Sequence, residues 1–318
     1  MIFKKDLNRL KGDASQRIFF RSKKKKFSSI LVYAKKDKKL NLLIYDAINK
    51  ILIRNGVIAP KLLRQNYKKN FIEIEDLGDK TIYQSFLNKG KNHYLIFKKV
   101  IKILNKIQTI KDKKIKNFNN RLYKIKNYEK KILFDEVKLF SDWYVNRKLT
   151  KRKLNKFKYI FNKEIKFLLS RLNYKNDTFV HRDFHVSNLM INSNNQIGLI
   201  DNQDALIGNK AYDLASLIDD VRYKTPKSLK QKIYNYYLKT NKGINRKKFR
   251  NDFIILSVLR NLKIIGIFMR LSDRDNKKKY LKLIPYAWHM IDNRMSENNL
   301  FTNLKLILKT NFPKLISS

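Results

Sequence analysis

Short apolar runs separated by polar turns predict that the first part of the chain forms a β-sheet. Residues 17–21 and 27–33 are rich in β-branched and aromatic side chains, and Ser22 with the lysine run 23–26 lies between them. This pattern is typical of two antiparallel strands joined by a solvated tip. Alternation at 71–75 predicts another strand, which runs into the turn-rich joint 76–79.

Helical spacing appears once within this region and dominates after it. A helix is predicted at 41–53, because Asn55-Gly56 gives a C-terminal stop and Pro60 follows soon after. Beyond Thr81 the apolar residues recur at steps of three and four, with lysine on the opposite face, which predicts a buried helix face. That stripe consists of Ile96, Val100, Ile103, Ile107 and Ile110.

The remaining pattern predicts more helices and one further hairpin. Helices are expected over 128–144 and through the C-terminal third from Lys227. Between them, 189–191 and 197–200 read as paired strands with Asn194-Asn195 as their turn. The chain is therefore predicted to be α+β, with a small β-rich lobe and a larger, mainly helical one.

Composition limits the class of protein. At 318 residues the chain is long enough for two lobes, which we predict at 1–79 and 80–318 with a hinge near 75–79. The absence of cysteine excludes disulfides and thiolate chemistry. The sequence offers neither a signal peptide nor a membrane span, so a cytoplasmic protein without membrane partners is expected, and a monomer.

The net charge of +47 suggests nucleic-acid binding. Lysine, however, far outnumbers arginine and is spread along the whole chain, whereas phosphate and base recognition favour arginine in a local patch. We therefore expect a solvated lysine-rich surface and no specific nucleic-acid partner.

The most informative motif is the stretch from His181 to Asn188, which spells H-R-D-x-x-x-x-N and is followed by Asp201. This order is typical of phosphoryl transfer from ATP. Asp183 is the predicted base for the acceptor hydroxyl, and Asn188 and Asp201 are the predicted Mg²⁺ ligands, since Mg²⁺ prefers hard oxygen donors.

Two neighbours of the motif leave alternatives open. His185 is expected either to contact substrate or to pack within the loop. Asp204 is a candidate substrate contact or a support for the metal ligands. His181 is expected to brace the loop through hydrogen bonds, and Arg182 to pair with a nearby carboxylate.

Two segments of the first lobe are candidates for holding the nucleotide. A glycine-bearing loop made of Gly12, Asp13, Ala14 and Ser15, with Arg17 after it, precedes the first strand, where backbone N–H groups are expected to cover the phosphates. The exposed backbone of Glu75 and Leu77 at the hinge is expected to hydrogen-bond adenine.

These residues together resemble the aminoglycoside phosphotransferase and choline kinase superfamily. The resemblance is closest to its cell-wall amino-sugar branch, the N-acetylmuramate/N-acetylglucosamine anomeric kinases. It rests on the loop from His181 to Met190, on Gly12 to Arg17, on 74–79, and on the segments around Glu136 and Asn261-Leu262-Lys263. It spans nearly the whole chain.

The resemblance implies a bilobal, protein-kinase-like fold and ATP-dependent phosphorylation of a sugar's anomeric hydroxyl in peptidoglycan recycling. It carries Asp183 over as the catalytic acid group and Asn188 and Asp201 as magnesium ligands. Because the strand before Lys35 has no lysine, either Arg17 or Lys35 is expected to supply positive charge to the phosphates. Arg222 and the helix from Arg260 to Arg270 are candidates for a carboxylate or phosphate contact.

Two other functions stay open on the sequence. The acceptor is expected to be this amino sugar, but the superfamily fold also accommodates an aminoglycoside, choline or another sugar, because a fold fixes the phosphoryl donor better than the acceptor. A non-catalytic, basic nucleic-acid-binding protein on a kinase-like scaffold is the alternative from another class.

Overall fold

The computed structural model of the chain describes residues 7–10, 17–24, 27–87 and 92–316. In chain order the strands are β1 (Leu7–Leu10), β2 (Ile18–Lys24), β3 (Phe27–Tyr33), β4 (Leu62–Asn66), β5 (Phe71–Glu75), β6 (Lys114–Lys116), β7 (Leu122–Lys124), β8 (Thr178–Val180), β9 (Leu189–Ile191), β10 (Ile197–Leu199) and β11 (Leu206–Gly208). The helices are α1 (Leu40–Arg54), α2 (Ile82–Leu87), α3 (His93–Gln108), α4 (Lys130–Leu139), α5 (Lys151–Ser170), α6 (Tyr212–Ile218), α7 (Lys227–Thr240), α8 (Arg246–Asp275), α9 (Ile284–Met295) and α10 (Thr302–Asn311).

Contacts among the residues divide the chain into two compact units. Unit 1 comprises 1–126 together with 181–207, and unit 2 comprises 127–180 together with 208–318. The motif from His181 to Asn188 therefore belongs to the same unit as the N-terminal strands. The hinge expected near 75–79 stays a prediction.

An antiparallel five-stranded sheet, ordered β1-β2-β3-β5-β4, forms the centre of unit 1. The predicted hairpin is confirmed as β2 and β3, with Phe20 opposite Leu31. The predicted strand at 71–75 is confirmed as β5, which pairs with β3. Residues 25–26 of the hairpin tip lie outside the described residues.

Helix α1 packs against this sheet through its apolar face. Leu42 and Tyr45 of α1 form one buried cluster with Val32, Ile72 and Ile74 of the strands. The predicted helix end is also confirmed: Gly56 has φ +67°, Val57 N donates to Leu52 O (2.9 Å) and Gly56 N donates to Ile53 O (2.9 Å). These two bonds form a Schellman motif, in which a left-handed glycine stops the helix.

The apolar stripe predicted beyond Thr81 lies on helix α3, but its centre was misplaced. Val100 and Ile107 are fully buried, whereas Ile96 and Ile103 are only half-buried. The buried face of α3 includes three residues that the predicted stripe omitted, namely Phe97, Ile101 and Leu104. A face wider than one row of residues is usual for a helix that packs on a core.

The second predicted hairpin is formed by β9 and β10. Leu199 lies opposite Leu189 in an antiparallel register, and Asn195 in the turn has φ +55°. Both strands are short, so this hairpin serves mainly to return the chain from Asn188 to Asp201.

Helices make up most of unit 2, as predicted. The helix expected over 128–144 begins as α4 and continues as a π-helix at Phe140–Val145. Its backbone is approached closely by α8: a Cβ atom added to Gly266 would lie 2.2 Å from Leu139 C and 2.5 Å from Phe140 N. Only glycine fits that position of α8.

No helix among the described residues is long and apolar enough to cross a membrane.

Candidate active site

The loop after β8 is folded tightly around the backbone of Asp183. Asp183 O accepts a hydrogen bond from His185 N (3.0 Å), and His185 O accepts one from Asn188 N (2.9 Å). Arg182 has φ +74°, a left-handed conformation that costs free energy for a residue with a long side chain. Strain of this kind is common at functional loops, where the surroundings hold the chain in place.

Asn188 connects this loop to the hairpin. Its side-chain Nδ2 donates to Asp183 O (3.0 Å), and its backbone O accepts from Ile200 N (3.1 Å). Asn188 therefore lies opposite Ile200 and beside Asp201 in the continued register of β9 and β10. The structure thus joins two of the three predicted catalytic and metal-binding residues, Asp183 and Asn188, by one hydrogen bond from side chain to backbone, and Asp201 follows the residue opposite Asn188 on the hairpin.

Asp201 also has a left-handed backbone, with φ +64° and ψ +39°. Among the described residues, the non-glycine positions with positive φ are four asparagines together with Arg182 and Asp201. Asparagine and aspartate tolerate this region better than other residues because their short polar side chains bond locally. The turn at Asp201 directs its carboxylate toward Arg17 and Gln203.

Arg17 is the cation of the site. Its Nη2 lies 2.5 Å from Asp201 Oδ1, and its Nη1 donates to Gln203 Oε1 (2.9 Å). The guanidinium lies over the rings of Phe19 and Tyr45, 5.4 and 5.5 Å from their centroids. Lys35 is exposed. Of the two predicted sources of positive charge, Arg17 is therefore the one beside Asp201.

Burial around Arg17 also affects its aromatic neighbour. The pKa of the Tyr45 phenol is raised to about 12, chiefly because burial removes its hydration and in smaller part because of the nearby Asp201 carboxylate, while Asn49 and Arg17 oppose the rise. Tyr45 is thus neutral near pH 7 and provides an apolar wall for the guanidinium.

Asn202 is a positioning residue that the sequence did not reveal. It is fully buried; its Oδ1 lies 2.7 Å from His181 Nε2, and its Nδ2 donates to Asn49 Oδ1 (2.8 Å). Because His181 Nε2 also lies 3.2 Å from Ile200 O, which only accepts, Nε2 carries the proton. Asn49, a polar residue within the apolar face of α1, was the one available signal for this network.

His185 and Asp204 differ in their exposure. His185 is buried, and Asn188 Nδ2 lies 3.4 Å from its Nε2, so the ring contacts the asparagine that is predicted to bind the metal. The side chain of Asp204 is 53% exposed and accepts from Gln203 Nε2 (2.7 Å). Arg182 Nη1 donates to Asp204 O (3.1 Å) and lies 4.0 Å from its carboxylate, so the predicted partner of Arg182 is Asp204.

The predicted nucleotide contacts are only partly described. Gly12, Asp13, Ala14 and Ser15 lie outside the described residues. At the other segment, Glu75 N donates to Lys61 O (2.8 Å) and is thereby occupied. Within the described part of the chain, neither the N–H nor the C=O of Leu77 makes a hydrogen bond. The adenine contact of this segment stays a prediction.

Asp76, between these two residues, is a structural carboxylate. Burial alone would raise the pKa of Asp76, but hydrogen bonds from Ser28, Gly78 N and Arg21, together with the Arg21 charge, hold it below its ordinary value. Arg21 Nε lies 2.6 Å from Asp76 Oδ2. The ion pair fixes the segment that precedes Leu77.

The donor set of the site suits Mg²⁺. Among the described residues no group of three or more histidine, cysteine, aspartate or glutamate side chains is arranged to hold a metal by itself. Mg²⁺ in kinases usually takes one or two protein oxygens and fills its shell with phosphate oxygens and water, so the pair of Asn188 and Asp201 fits this requirement.

Arg222 belongs to unit 2, whereas the site residues described above belong to unit 1. Its Nη1 lies 3.5 Å from Oδ1 of the buried Asp220. It is therefore held by a carboxylate of its own unit.

Comparison with known proteins identifies the family of the chain. Residues 6–246 match the model of the phosphotransferase enzyme family. An N-acetylmuramate/N-acetylglucosamine kinase of Pseudomonas aeruginosa is 30% identical over 252 residues, which cover 76% of this chain and 70% of that protein. A kinase of the same name from Neisseria meningitidis is 27% identical over 88% of this chain and 83% of its own.

The fold is also found among solved structures. The ADP-bound crystal structure of aminoglycoside phosphotransferase APH(2'')-Ib has a TM-score of 0.61, with 16% identity over 91% of this chain and 95% of that one. At this identity the match establishes the protein-kinase-like fold alone.

Proposed function

Because the chain belongs to the phosphotransferase enzyme family, we propose that it is a sugar kinase that transfers the γ-phosphoryl group of ATP to the anomeric hydroxyl of N-acetylmuramate or N-acetylglucosamine. The observation that carries the proposal is the bond from Asn188 Nδ2 to Asp183 O, because it couples the predicted base to a predicted metal ligand. The names of the relatives support an amino sugar as acceptor.

Asp183 is the residue that receives the acceptor proton in this proposal. The sugar C1 oxygen bonds to the γ-phosphorus while the bond from that phosphorus to the bridging oxygen breaks and ADP leaves. The hydroxyl proton passes to the Asp183 carboxylate. An anomeric hydroxyl is more acidic than an ordinary alcohol, so a carboxylate is a sufficient base in a loose transition state.

Asn188 and Asp201 would hold Mg²⁺ through side-chain oxygens. The donation from Asn188 Nδ2 to Asp183 O leaves Asn188 Oδ1 on the opposite side of its amide group. Mg²⁺, when bound, neutralises charge on the triphosphate. Arg17, which now pairs with Asp201, is the side chain suited to contact a phosphate, since guanidinium binds such oxyanions in bidentate fashion.

The direct test is coupled ATP turnover with N-acetylmuramate, N-acetylglucosamine, choline and an aminoglycoside in parallel. We expect turnover with the amino sugars. Asp183→Asn should retain the fold and nucleotide binding but lose turnover by a factor of about 10² to 10⁴, the usual contribution of a general base. Turnover confined to choline or the aminoglycoside would refute the acceptor, and full activity of Asp183→Asn would refute its role.

The metal assignment has its own test. Asp201→Asn keeps a residue that tolerates the left-handed backbone, so it removes the carboxylate without changing the turn. We expect calorimetry to show Mg²⁺-ATP affinity reduced at least about 10-fold, as for lost groups at metal sites. Unchanged affinity would argue against Asp201 as a ligand.

A further inference from the structure

Three side chains of unit 1, those of Arg17, Asp201 and Gln203, bond to one another in a ring. Arg17 Nη2 lies 2.5 Å from Asp201 Oδ1, and Arg17 Nη1 donates to Gln203 Oε1 (2.9 Å). Gln203 Nε2 donates back to the same oxygen, Asp201 Oδ1 (3.1 Å), and also to Asp204 Oδ2 (2.7 Å). Gln203 therefore holds both partners of the ion pair.

The ring occupies an oxygen that a metal ligand needs. A carboxylate oxygen has two lone pairs, and Asp201 Oδ1 already accepts from Arg17 and from Gln203. A divalent cation at Oδ1 would have to displace one of these donors. At the other oxygen of the same carboxylate it would lie beside the guanidinium, which repels it. The ion pair and metal ligation by Asp201 are therefore in competition.

The surroundings of the two charges differ. The side chain of Arg17 is only 6% exposed, whereas that of Asp201 is 38% exposed and within reach of ions from solvent. The rings of Phe19 and Tyr45 lie under the guanidinium. A guanidinium is weakly hydrated and is attracted to aromatic faces, so it tolerates this burial better than an ammonium would. Arg17 is thus kept at an otherwise accessible carboxylate.

A nucleotide offers Arg17 a stronger partner. Guanidinium binds phosphate oxygens in bidentate fashion, and a triphosphate carries more negative charge than one carboxylate. When Arg17 turns to a phosphate, Asp201 loses its counter-ion. The carboxylate then gains affinity for Mg²⁺, which shares its coordination shell with the phosphates.

We infer that Arg17 is a stand-in cation at Asp201, held there by Gln203, and that it makes metal binding depend on the nucleotide. The inference rests on the proposed function, in which Asp201 is a metal ligand, and deepens it. Divalent ions bind Asp201 weakly until a phosphate takes Arg17 away. Because coupling between two sites is reciprocal, nucleotide and metal each raise the affinity for the other.

The test measures Mn²⁺ binding without nucleotide, by the electron paramagnetic resonance signal of the free ion. Mn²⁺ prefers the same oxygen ligands as Mg²⁺. Arg17→Met removes the charge and keeps an unbranched side chain. We expect its Mn²⁺ affinity to exceed that of the wild type by about 10-fold or more, because even in water a single and a double charge about 4 Å apart repel enough for such a factor.

A second substitution locates the ion. Arg17→Met combined with Asp201→Asn lacks the carboxylate, so it should lose the gain in Mn²⁺ affinity. If the double variant bound Mn²⁺ as tightly as Arg17→Met, the ion would lie elsewhere and the inference would be overturned.

Arg9→Met is the matched control, because it removes the same charge from the same sheet. Arg9 is exposed and lies opposite Phe20, whereas its neighbour Leu10 lies opposite Phe19. Its side chain is therefore on the other face of the sheet from that of Phe19. Arg9→Met should leave Mn²⁺ affinity near that of the wild type. Equal gains in Arg9→Met and Arg17→Met would reflect the net charge of the chain and refute the inference.

Gln203→Met tests the same competition with the charge of Arg17 in place. It removes the bonds to both partners of the ion pair, so we expect a smaller gain in Mn²⁺ affinity than for Arg17→Met. A gain of affinity is not what a damaged fold produces. Should Arg17→Met not fold, this variant decides: an Mn²⁺ affinity no higher than that of the wild type would overturn the inference.

The outcomes separate the two proposals. If Arg17→Met gains Mn²⁺ affinity but the wild type phosphorylates neither amino sugar, the proposed function fails, while the role of Arg17 as a stand-in cation is supported. If the wild type phosphorylates an amino sugar and Arg17→Met binds Mn²⁺ no more tightly, only the inference about Arg17 fails.

Discussion

Asn202 shows how one uncharged side chain supports the chemistry of its charged neighbours. It follows Asp201 directly in the chain and joins the loop of His181 to helix α1 through hydrogen bonds of 2.7 and 2.8 Å. A buried network of this kind fixes atoms more tightly than packing does, because each bond restricts both distance and direction.

We therefore predict that Asn202→Ala lowers both stability and turnover. Asn49 Oδ1 would lose the donor Asn202 Nδ2, and His181 Nε2 would lose one of its two acceptors, which should reduce the free energy of unfolding by about 1 to 3 kcal/mol. The kcat should fall while the KM for ATP changes less. Chemical unfolding and steady-state kinetics measure the two effects.

Asn194→Ala is the matched control, since Asn194 lies in the exposed turn of the β9–β10 hairpin, which ends just before Asn202. This variant should change neither the free energy of unfolding nor the kcat. An Asn202→Ala variant as active and stable as this control would show that the network does not position the site.

At this scale the sequence indicates candidate residues for the chemistry more readily than the residues that support them. The spacing from His181 to Asp201 singles out Asp183, Asn188 and Asp201 as candidates, because each predicted role needs a particular functional group at a particular place. One partner of Asn202, Asn49 of α1, lies 153 positions away along the chain. Only the three-dimensional fold selects which distant polar residue meets it.

At the scale of elements, local signals predicted the ends of helices and strands well. Gly56 stops α1, and Asn195 closes the β9–β10 hairpin, since both need a left-handed backbone that few residues adopt. The buried face of α3 was predicted less well. Isoleucine and lysine are both frequent along this chain, so the spacing of apolar residues alone does not define which side of α3 is buried. Contacts with the neighbouring core bury Phe97 and Leu104 and leave Ile96 half-buried.

Gly266 illustrates an element contact that no local signal reveals. It lies inside the long helix α8, where glycine is unfavourable by about 1 kcal/mol. Its lack of a side chain lets α8 approach Leu139 and Phe140, where α4 gives way to the π-helix. The cost in helix propensity is offset by this close packing.

We predict that Gly266→Ala destabilises the protein although alanine is the better helix former. The new methyl group would meet backbone atoms at 2.2 to 2.5 Å, which cannot move aside as a flexible side chain does. Overpacking should lower the free energy of unfolding by at least about 1 to 3 kcal/mol. Urea unfolding followed by circular dichroism gives the value.

Gly243→Ala provides the comparison, because a Cβ atom there meets nothing within 4 Å. It should leave stability nearly unchanged. If Gly266→Ala were equally stable, the close approach of α8 would not constrain the fold.

For the molecule as a whole, charge is the dominant feature, with 73 lysine and arginine residues against 26 aspartate and glutamate. Carboxylates are therefore scarce in this chain, and each one tends to be surrounded by cations. Asp219 is the clearest case: it is buried and contacts Arg294, Lys230 and Ser257.

These contacts determine how stability depends on pH. Burial alone would raise the pKa of Asp219, but the Arg294 and Lys230 charges, with their hydrogen bonds, hold that pKa far below its ordinary value of about 3.9. A carboxyl whose pKa is depressed by folding stabilises the native state above its unfolded pKa. That contribution is lost as the pH falls from about 4 through the folded pKa.

We predict that Asp219→Asn costs about 3 to 5 kcal/mol near neutral pH, the usual effect of breaking a buried ion pair. The difference in Tm between wild type and variant should be constant from about pH 7 to pH 5 and shrink below about pH 4, where Asp219 of the unfolded wild type begins to bind a proton that the folded state does not yet bind. Scanning calorimetry across this range measures it. A difference that stayed constant down to about pH 2 would show that the ionised carboxylate is not the stabilising species.

The salt dependence of the Tm tests whether the loss of stability in Asp219→Asn comes from local ion pairs. At about 50 mM salt the exposed lysines repel one another over roughly 14 Å, and raising salt to about 300 mM shortens that range to about 6 Å. Salt should therefore raise the Tm of wild type and variant alike, because both carry the same excess of exposed cations. The gap between them should persist, because salt screens a buried pair much less than it screens surface charges. If salt removed the gap, the loss in Asp219→Asn would come from the general positive charge of the chain, and the ion pairs with Arg294 and Lys230 would contribute little.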